Sequence, residues 1–259
     1  MQVLKTRALV AILFIVGVVF AIAVSLNENA DGLAFSRQVK TSKDRNDKEN
    51  IPLVIFSASQ PNDQTNQTLR RIRGSRYDNR LPKPLNELSG TGLMRTTHWW
   101  INLPGLPTAQ SDAVVLGKVV DATAYLSNDK SNVYSEFSIR VEDVFMDRSG
   151  SLKLGGGLTV SREGGRVQLP DGRMLYVMSS DQGMPSKGRR YLLFLKYDST
   201  ANDYNIITGY MLRRDKVSLL DEVDLDRFST YKNMDEKSFL NAVREAVVNP
   251  PQAPRDMER

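Results

Sequence analysis

The sequence contains no cysteine and a single histidine in 259 residues, and each shortage excludes a class of chemistry. Without cysteine the chain has no disulfides and no thiol nucleophile, so a stable domain must rest on an apolar core. Zinc sites in proteins use cysteine or several histidines, so we expect no metal site of that kind. A Ser-His-Asp triad would depend on His98, which lies in RTTHWW without a nucleophile motif nearby.

Catalytic and cofactor-binding motifs are also missing from the sequence. The glycine run Gly155–Gly157 lacks the Lys-Ser/Thr pair of a phosphate-binding loop and precedes a strand-like segment rather than a helix. The clustered acidic candidates are Glu136, Glu142 and Asp143, and their alternation with apolar residues favours a solvent-facing stripe. We therefore expect no cofactor and no enzymatic activity, with a hydrolase that uses these carboxylates as the alternative.

The chain does have a long apolar run close to its start. Lys5 and Arg7 precede an uncharged apolar segment from Ala8 to Leu26, and the polar sequence NENAD follows it. The length is close to the roughly 20 residues that span a bilayer core, which favours an uncleaved signal anchor at residues 1–26. Small residues in Ala21-Ile22-Ala23 leave a cleavable signal peptide as the alternative.

This run predicts a location in the cell envelope. An anchor would hold the protein in the inner membrane through residues 8–26, facing outward, because the basic flank stays in the cytoplasm. Cleavage would release the protein into the periplasm or the medium.

Residues 27–95 are interpreted as a flexible, partly basic tether, because they are polar and largely without periodicity. A short apolar run, Ile51–Phe56, is the one strand-like segment in their first half. The basic residues cluster together and are opposed only by Asp78: Arg70, Arg71, Arg73, Arg76, Arg80 and Lys83. A solvated tether is the simpler interpretation, and contact with anionic lipid, envelope polymer or an acidic protein is the functional one. We expect no nucleic acid as a partner.

Residues 96–250 are expected to form one mainly β domain, followed by a disordered tail at 251–259. The clearest strand alternates, with Phe137, Ile139 and Val141 predicted inside and Glu136, Ser138, Arg140 and Glu142 predicted outside. About seven or eight short strands separated by turn residues favour a small OB-like or related closed barrel, since closure removes exposed sheet edges.

Further signals place a hairpin, a central strand and a helix in this domain. Pro170-Asp171-Gly172 predicts a tight turn between two strands, and Tyr191–Leu195 fits a strand covered on both faces. Asn233 and Glu236 have capping-box spacing, apolar residues then recur at helical intervals, and Pro250-Pro251 ends the pattern. We expect this amphipathic helix to pack on the barrel, with partner binding as the alternative.

Two loops of the domain supply candidate contact residues. They are Asn128 and Asp129 in one loop, and Arg162 and Arg166 around a glycine pair in the other. Plain turns are the simpler interpretation, and a binding rim is the alternative because small barrels often bind through loops. Lys130 adds positive charge to the first loop and no glutamate completes an EF-hand pattern, so calcium is not expected there.

The segment SDAVVLGKVVDATAYLSNDKSNVYSEFSIRVEDVF resembles exported bacterial proteins of uncharacterised function, as do GGRVQLPDGR, QGMPSKGRRYLLFL and ITGYMLR after it. The resemblance covers about residues 111–222. The strand pattern is also similar to the OB-type barrels of tissue-inhibitor-of-metalloproteinase and netrin-like modules. Those inhibitors chelate a metal through an N-terminal cysteine, which this chain lacks, so the likeness implies a fold and not a mechanism.

Together these features predict an exported, membrane-tethered, non-catalytic binding or structural module. An envelope protein or an anionic envelope polymer is the expected partner, and the oligomeric state stays open. The exported hydrolase and a protease-inhibitor or assembly accessory protein are the alternatives.

Fractionation of cells that express the tagged full-length chain tests the predicted location. The apolar run should place the protein in the membrane fraction with its C-terminus outside the cytoplasm. A shortened chain in the periplasm would select the cleaved signal instead. Recovery from the soluble cytosol with an intact N-terminus would contradict both versions.

Overall fold

The computed structural model describes residues 51–56, 64–95, 98–223 and 225–252. The predicted anchor or signal at residues 1–26, the first part of the tether and most of the predicted tail lie outside the described residues. Among the residues that are described, no helix has the length and apolar character needed to cross a bilayer.

The described chain is mainly β, with the helices near its two ends. The elements, in chain order, are β1 (Leu53–Ile55), α1 (Gln64–Ser75), β2 (Gly92–Arg95), β3 (Ala113–Leu126), β4 (Val133–Asp147), β5 (Gly157–Glu163), β6 (Gly165–Gln168), β7 (Met174–Ser179), β8 (Arg190–Asp198), β9 (Asp203–Arg213), β10 (Lys216–Leu219), α2 (Asp226–Ser229) and α3 (Glu236–Val248).

The strands form two sheets rather than the one closed barrel expected from the sequence. The larger sheet has the order β10-β9-β5-β4-β3-β8, with an additional pairing between β8 and β9. The smaller sheet has the order β1-β6-β7-β2, in which β1 and β2 pair in parallel with β6 and β7. The second sheet exists because β1 and β2 pair with the β6–β7 hairpin, which the sequence pattern predicts to be part of the barrel.

The interpretation of residues 27–95 as a flexible tether is corrected for the part that the structure describes. Strands β1 and β2 and helix α1 all come from this segment and pair with or pack on the domain. Its polar composition suggested a solvated chain, but α1 is attached through charged and polar side chains, which carry no apolar periodicity.

Strand β4 confirms the predicted interior and corrects one predicted outer residue. Phe137, Ile139 and Val141 are buried in the core of the larger sheet, while Ser138 and Arg140 are exposed. Glu136 was expected outside, but only 12% of its side chain is exposed because α1 covers this end of the strand.

Strand β8 is central, as its apolar run predicts, and it separates two apolar clusters. Tyr191, Leu193 and Leu195 face the interior of the larger sheet. Leu192 and Phe194 point the other way, into a second cluster that α3 covers. Alternate residues of one strand therefore enter opposite cores.

Helix α3 packs on the larger sheet, as predicted, through Phe239, Val243 and Ala246. Its N-cap is Asp235, whose side chain accepts a hydrogen bond of 2.9 Å from the backbone N–H of Ser238. The capping-box spacing predicts a cap at Asn233, two residues before the observed one. The hairpin at Pro170–Gly172 is present between β6 and β7, and Gly172 has a φ of +84°.

Replacement of Phe137 by alanine tests the core of the larger sheet. Phe137→Ala should lower the free energy of unfolding by about 3–5 kcal/mol, since it removes a fully buried aromatic ring. Ser138→Ala, at the exposed neighbouring position, should change it by no more than about 0.5 kcal/mol. Denaturant midpoints measure both, and equal effects would contradict the described alternation.

Candidate functional site

Helix α1 is joined to the larger sheet by Arg73, whose side chain is only 10% exposed. Its Nη1 lies 3.1 Å from Oε2 of Glu136 on β4, and its Nε lies 3.0 Å from Oδ2 of Asp203 at the start of β9. The Asp203 side chain has no exposed surface at all. One guanidinium group therefore links α1 to two strands.

Arg76 follows α1 by one residue and binds the same region from a second position. Its Nε lies 2.8 Å from Oδ2 of Asp198, and its Nη2 contacts Asp203. Its Nη1 donates to Oδ1 of Asn205 at 2.8 Å and to Oγ of Ser161 at 3.3 Å. Ser161 and Asn205 are partners across the parallel β5–β9 pairing, so Arg76 bridges these two strands.

We call Arg73, Arg76, Glu136, Asp198 and Asp203 the arginine–carboxylate cluster. Burial raises the pKa of the Glu136 and Asp203 carboxyls above their ordinary values, and the neighbouring guanidinium groups oppose that rise. Three carboxylates thus share two guanidinium groups at the interface between α1 and the sheet.

The loop between β3 and β4 contacts the other side of this segment. Nδ2 of Asn128 donates to the carbonyl oxygen of Arg71 at 2.9 Å. A Cβ atom on Gly74 would lie 2.7 Å from Oδ1 of Asn128, so a larger residue at position 74 would require the Asn128 side chain to shift. Asn128 therefore serves an internal contact.

Asp129, the other candidate in this loop, is used in the same way. Its carboxylate accepts hydrogen bonds from the backbone N–H groups of Asn79, at 2.6 Å, and Ser131, at 2.9 Å. Burial alone would raise the pKa of the Asp129 carboxyl. The hydrogen bonds outweigh burial and hold this pKa well below its ordinary value. The carboxylate is therefore already engaged by the protein.

Aromatic rings contribute to the contact that α1 and the residues just after it make with the sheet. The rings of Tyr77 and Tyr134 stack with centroids 4.9 Å apart and planes 13° apart. The guanidinium carbon of Arg70 lies 4.8 Å from the ring centroid of Tyr125. Burial raises the pKa of Tyr77 to about 12, so its hydroxyl is protonated near neutral pH.

The basic residues predicted to form one anionic contact do not act as a single patch. Arg73 and Arg76 are ion-paired within the domain, and Arg70 lies over an aromatic ring. Arg71, Arg80 and Lys83 are exposed. Half of the predicted patch is therefore engaged by the protein itself.

The second pair of predicted loop residues is also internal. Arg162 is buried and forms hydrogen bonds to both carboxylate oxygens of Asp221, at 2.7 and 3.1 Å, and Trp99 lies over its guanidinium group. Arg166 is partly buried, and its Nε donates to the carbonyl oxygen of Ile51 at 2.8 Å. Both were expected at a solvated turn, but the chain there crosses from one sheet to the other.

The carboxylates considered for a hydrolase do not converge. Glu136 pairs with Arg73, whereas Glu142 lies 2.8 Å from Nε of Arg190 and Asp143 lies 3.7 Å from Nη2 of Arg244. Glu136 and Glu142 are six positions apart on one strand, which separates them by on the order of 20 Å. Within the described ranges, no group of three or more His, Asp or Glu side chains is arranged to hold a metal ion.

A second surface of interest is the solvent-facing side of the smaller sheet, which the sequence analysis missed. Paired residues of a sheet point to the same side, and the pairings place on this outer face Leu53, Ile55, Met94, Met174, Tyr176 and Met178, with Arg166 and Gln168 of β6 among them. Leu53, Ile55 and Met94 are 42%, 50% and 70% exposed. The alternating sequence MLYVMS of β7 was a signal for this face. The edge strands β1 and β2, however, lie in the segment that was interpreted as a tether.

The pH dependence of stability tests the buried state of Glu136. A carboxyl whose folded-state pKa is raised above its ordinary value of 4.5 contributes stability below that pH, and loses it as pH rises through the raised pKa. The wild type should therefore lose stability relative to Glu136→Gln as pH rises above 4.5. Denaturant unfolding at a series of pH values measures this difference.

Ser138→Ala provides the control on the same strand, because Ser138 is exposed and does not titrate. Its difference from the wild type should not change with pH. If the Glu136→Gln difference were equally constant from acidic to neutral pH, the carboxylate would not be buried in the way described.

Comparisons with known proteins add no family to this description. Neither a protein-family model nor a curated protein matches the chain. The resemblance to exported bacterial proteins and to inhibitor-type barrels therefore stays a prediction.

Proposed function

We propose that this protein is a non-catalytic binding module that is exported, tethered to the membrane by residues 8–26, and specific for a protein partner in the envelope. The observation that carries the proposal is the outer face of the smaller sheet. Its aliphatic, thioether and aromatic side chains lie on the solvent-facing side, with the edge residues Ile55 and Met94 half or more exposed.

The chemistry of this face favours a protein over an anionic polymer. Clustered exposed apolar side chains mark protein contact sites, and methionine adapts well to irregular partner surfaces. Three methionines, Met94, Met174 and Met178, lie on the outer face. A polyanion would bind best to a cluster of exposed cations, but Arg73 and Arg76 are ion-paired inside the domain, which leaves Arg71, Arg80 and Lys83 exposed.

The location of the outer face is compatible with a tethered module. Strand β1 forms one edge of the smaller sheet and begins at Leu53, shortly after the segment that leads from the apolar run. The chain therefore enters the smaller sheet through an edge strand whose exposed residues Leu53 and Ile55 belong to the outer face. The envelope location itself rests on the sequence of residues 1–26.

We also infer that the larger sheet has an OB-type arrangement. Support comes from the order β3-β4-β5-β9-β8, the antiparallel pairing of β8 with β3, and the parallel pairing of β5 with β9. OB folds are five-stranded, partly open barrels, and the β5–β9 step here consists of only two residue pairs. The fold by itself does not specify a ligand.

One observation favours the exported hydrolase as a second candidate. Burial raises the pKa of both Glu136 and Asp203, and perturbed carboxyls are typical of active sites. The guanidinium groups of Arg73 and Arg76, however, are in direct ion-pair contact with these carboxylates. A substrate could reach the carboxylates only by displacing the arginines. Ion-pair networks that serve only structure perturb pKa values in the same manner.

Site-specific photocrosslinking in cells tests the proposed binding surface. A photoreactive amino acid in place of Met94 should give a discrete crosslinked species, because this position lies on the outer face. The same residue at Leu154, which is 73% exposed and lies outside the smaller sheet, is the matched control and should give none. Immunoblotting of the tagged chain detects the products.

A second substitution tests whether the Met94 crosslink depends on the outer face of the smaller sheet. Ile55→Asp should abolish the Met94 crosslink without unfolding the protein, because Ile55 is 50% exposed at the sheet edge. Equal crosslinking from Met94 and Leu154, or persistence of the species in Ile55→Asp, would contradict the proposal. A crosslink only between two copies of the chain would replace the envelope partner by self-association.

A further inference from the structure

Helix α1 is attached to the domain almost without apolar packing. None of its described side chains belongs to any of the three apolar clusters. The contacts that hold α1 and the residues after it include the Arg73 and Arg76 ion pairs, the Arg70 contact with Tyr125, hydrogen bonds to the loop between β3 and β4, and the stacked rings of Tyr77 and Tyr134. Separation of this interface would expose the rings of Tyr77 and Tyr134, but it would leave the three apolar clusters of the domain intact.

The surface beneath α1 presents acceptors and aromatic faces to the arginines. The groups that contact them are the carboxylates of Glu136, Asp198 and Asp203, the Asn205 amide oxygen, the Ser161 hydroxyl and the ring of Tyr125. Guanidinium has several N–H donors in a planar fork and also stacks on aromatic rings. The surface therefore suits arginine side chains, and three of them contact it: Arg73 and Arg76 on the carboxylates and Arg70 on the ring of Tyr125.

We propose that this surface is a binding site for arginine side chains, that α1 occupies it in cis, and that an arginine-bearing segment of another protein binds there when α1 is displaced. The site is separate from the outer face of the smaller sheet and does not depend on the function proposed for that face. Its ligand is a basic peptide segment with at least two arginines spaced like Arg73 and Arg76.

Displacement exchanges one set of arginine contacts for an equivalent set. Breaking a buried ion pair by removing one partner is costly, because it leaves an uncompensated charge. A competing arginine removes that cost, since the carboxylates stay paired throughout. The competitor must still overcome the effective concentration of the linked segment, which is on the order of millimolar for a short connection.

The test uses a labelled synthetic peptide of residues 64–80 and the full-length protein in detergent. Wild type should bind micromolar peptide weakly, because its own segment occupies the site. The full-length double variant Arg73→Gln/Arg76→Gln should bind the peptide at least about tenfold more tightly, since the cis competitor no longer fits. Fluorescence anisotropy measures both affinities, and circular dichroism verifies that the variant is folded.

Two controls connect the binding to the proposed site. Adding Asp203→Asn to the double variant should remove the gain in affinity, because Asp203 contacts both arginines. Arg190→Gln breaks the Glu142 ion pair on another part of the domain and should bind peptide no better than wild type. Equal binding to wild type and the double variant, or a gain that survives Asp203→Asn, would overturn the proposal.

A second measurement decides the matter if the double variant fails to fold. The chain has no cysteine, so spin labels on Arg71→Cys and Ser138→Cys, both exposed positions, are free of background labelling. Excess peptide should lengthen and broaden the distance between the labels in this otherwise wild-type chain. An unchanged distance at saturating peptide would overturn displacement.

Discussion

The pairing of Arg73 and Arg76 with carboxylates of the larger sheet is the interaction on which the rest of this structure depends. Asp203, fully buried at the start of β9, forms ion pairs with both arginines, and Arg76 also donates hydrogen bonds to Ser161 and Asn205. Those two residues form half of the β5–β9 pairing, the shortest contact between strands of the larger sheet. The same guanidinium group therefore holds α1 on the domain and bridges the two strands where the sheet is least connected.

These ion pairs change the interpretation of the basic segment that contains Arg73 and Arg76. A cluster of arginines without apolar periodicity is typical of a solvated tether that binds anions. Here its charges are matched by Glu136, Asp198 and Asp203, so part of the segment is a folded component of the domain. The outer face of the smaller sheet is instead largely apolar, and on that ground we propose a protein rather than an anionic polymer as the partner.

The fold was predictable where apolar residues repeat with a clear period. Phe137, Ile139 and Val141, the strand at Tyr191–Leu195 and helix α3 all follow from such patterns and are confirmed. The site was not predictable, because it is formed by ion pairs between residues about 60 to 130 positions apart, such as Arg73 with Glu136 and with Asp203. An alternating strand indicates which side Glu136 faces, but nothing local to it shows that a helix covers that side. The outer face was missed for the same reason, since β1 and β2 pair with strands far along the chain.

Amide hydrogen exchange of α1 tests the central claim that ion pairing folds this segment onto the domain. In the wild type the amides of residues 68–75 should be protected, and Asp203→Asn should remove that protection while leaving the amides around Ile139 slow to exchange. Rapid exchange of α1 in the wild type, at the rate of an unstructured chain, would contradict the account. So would protection of α1 that Asp203→Asn leaves unchanged.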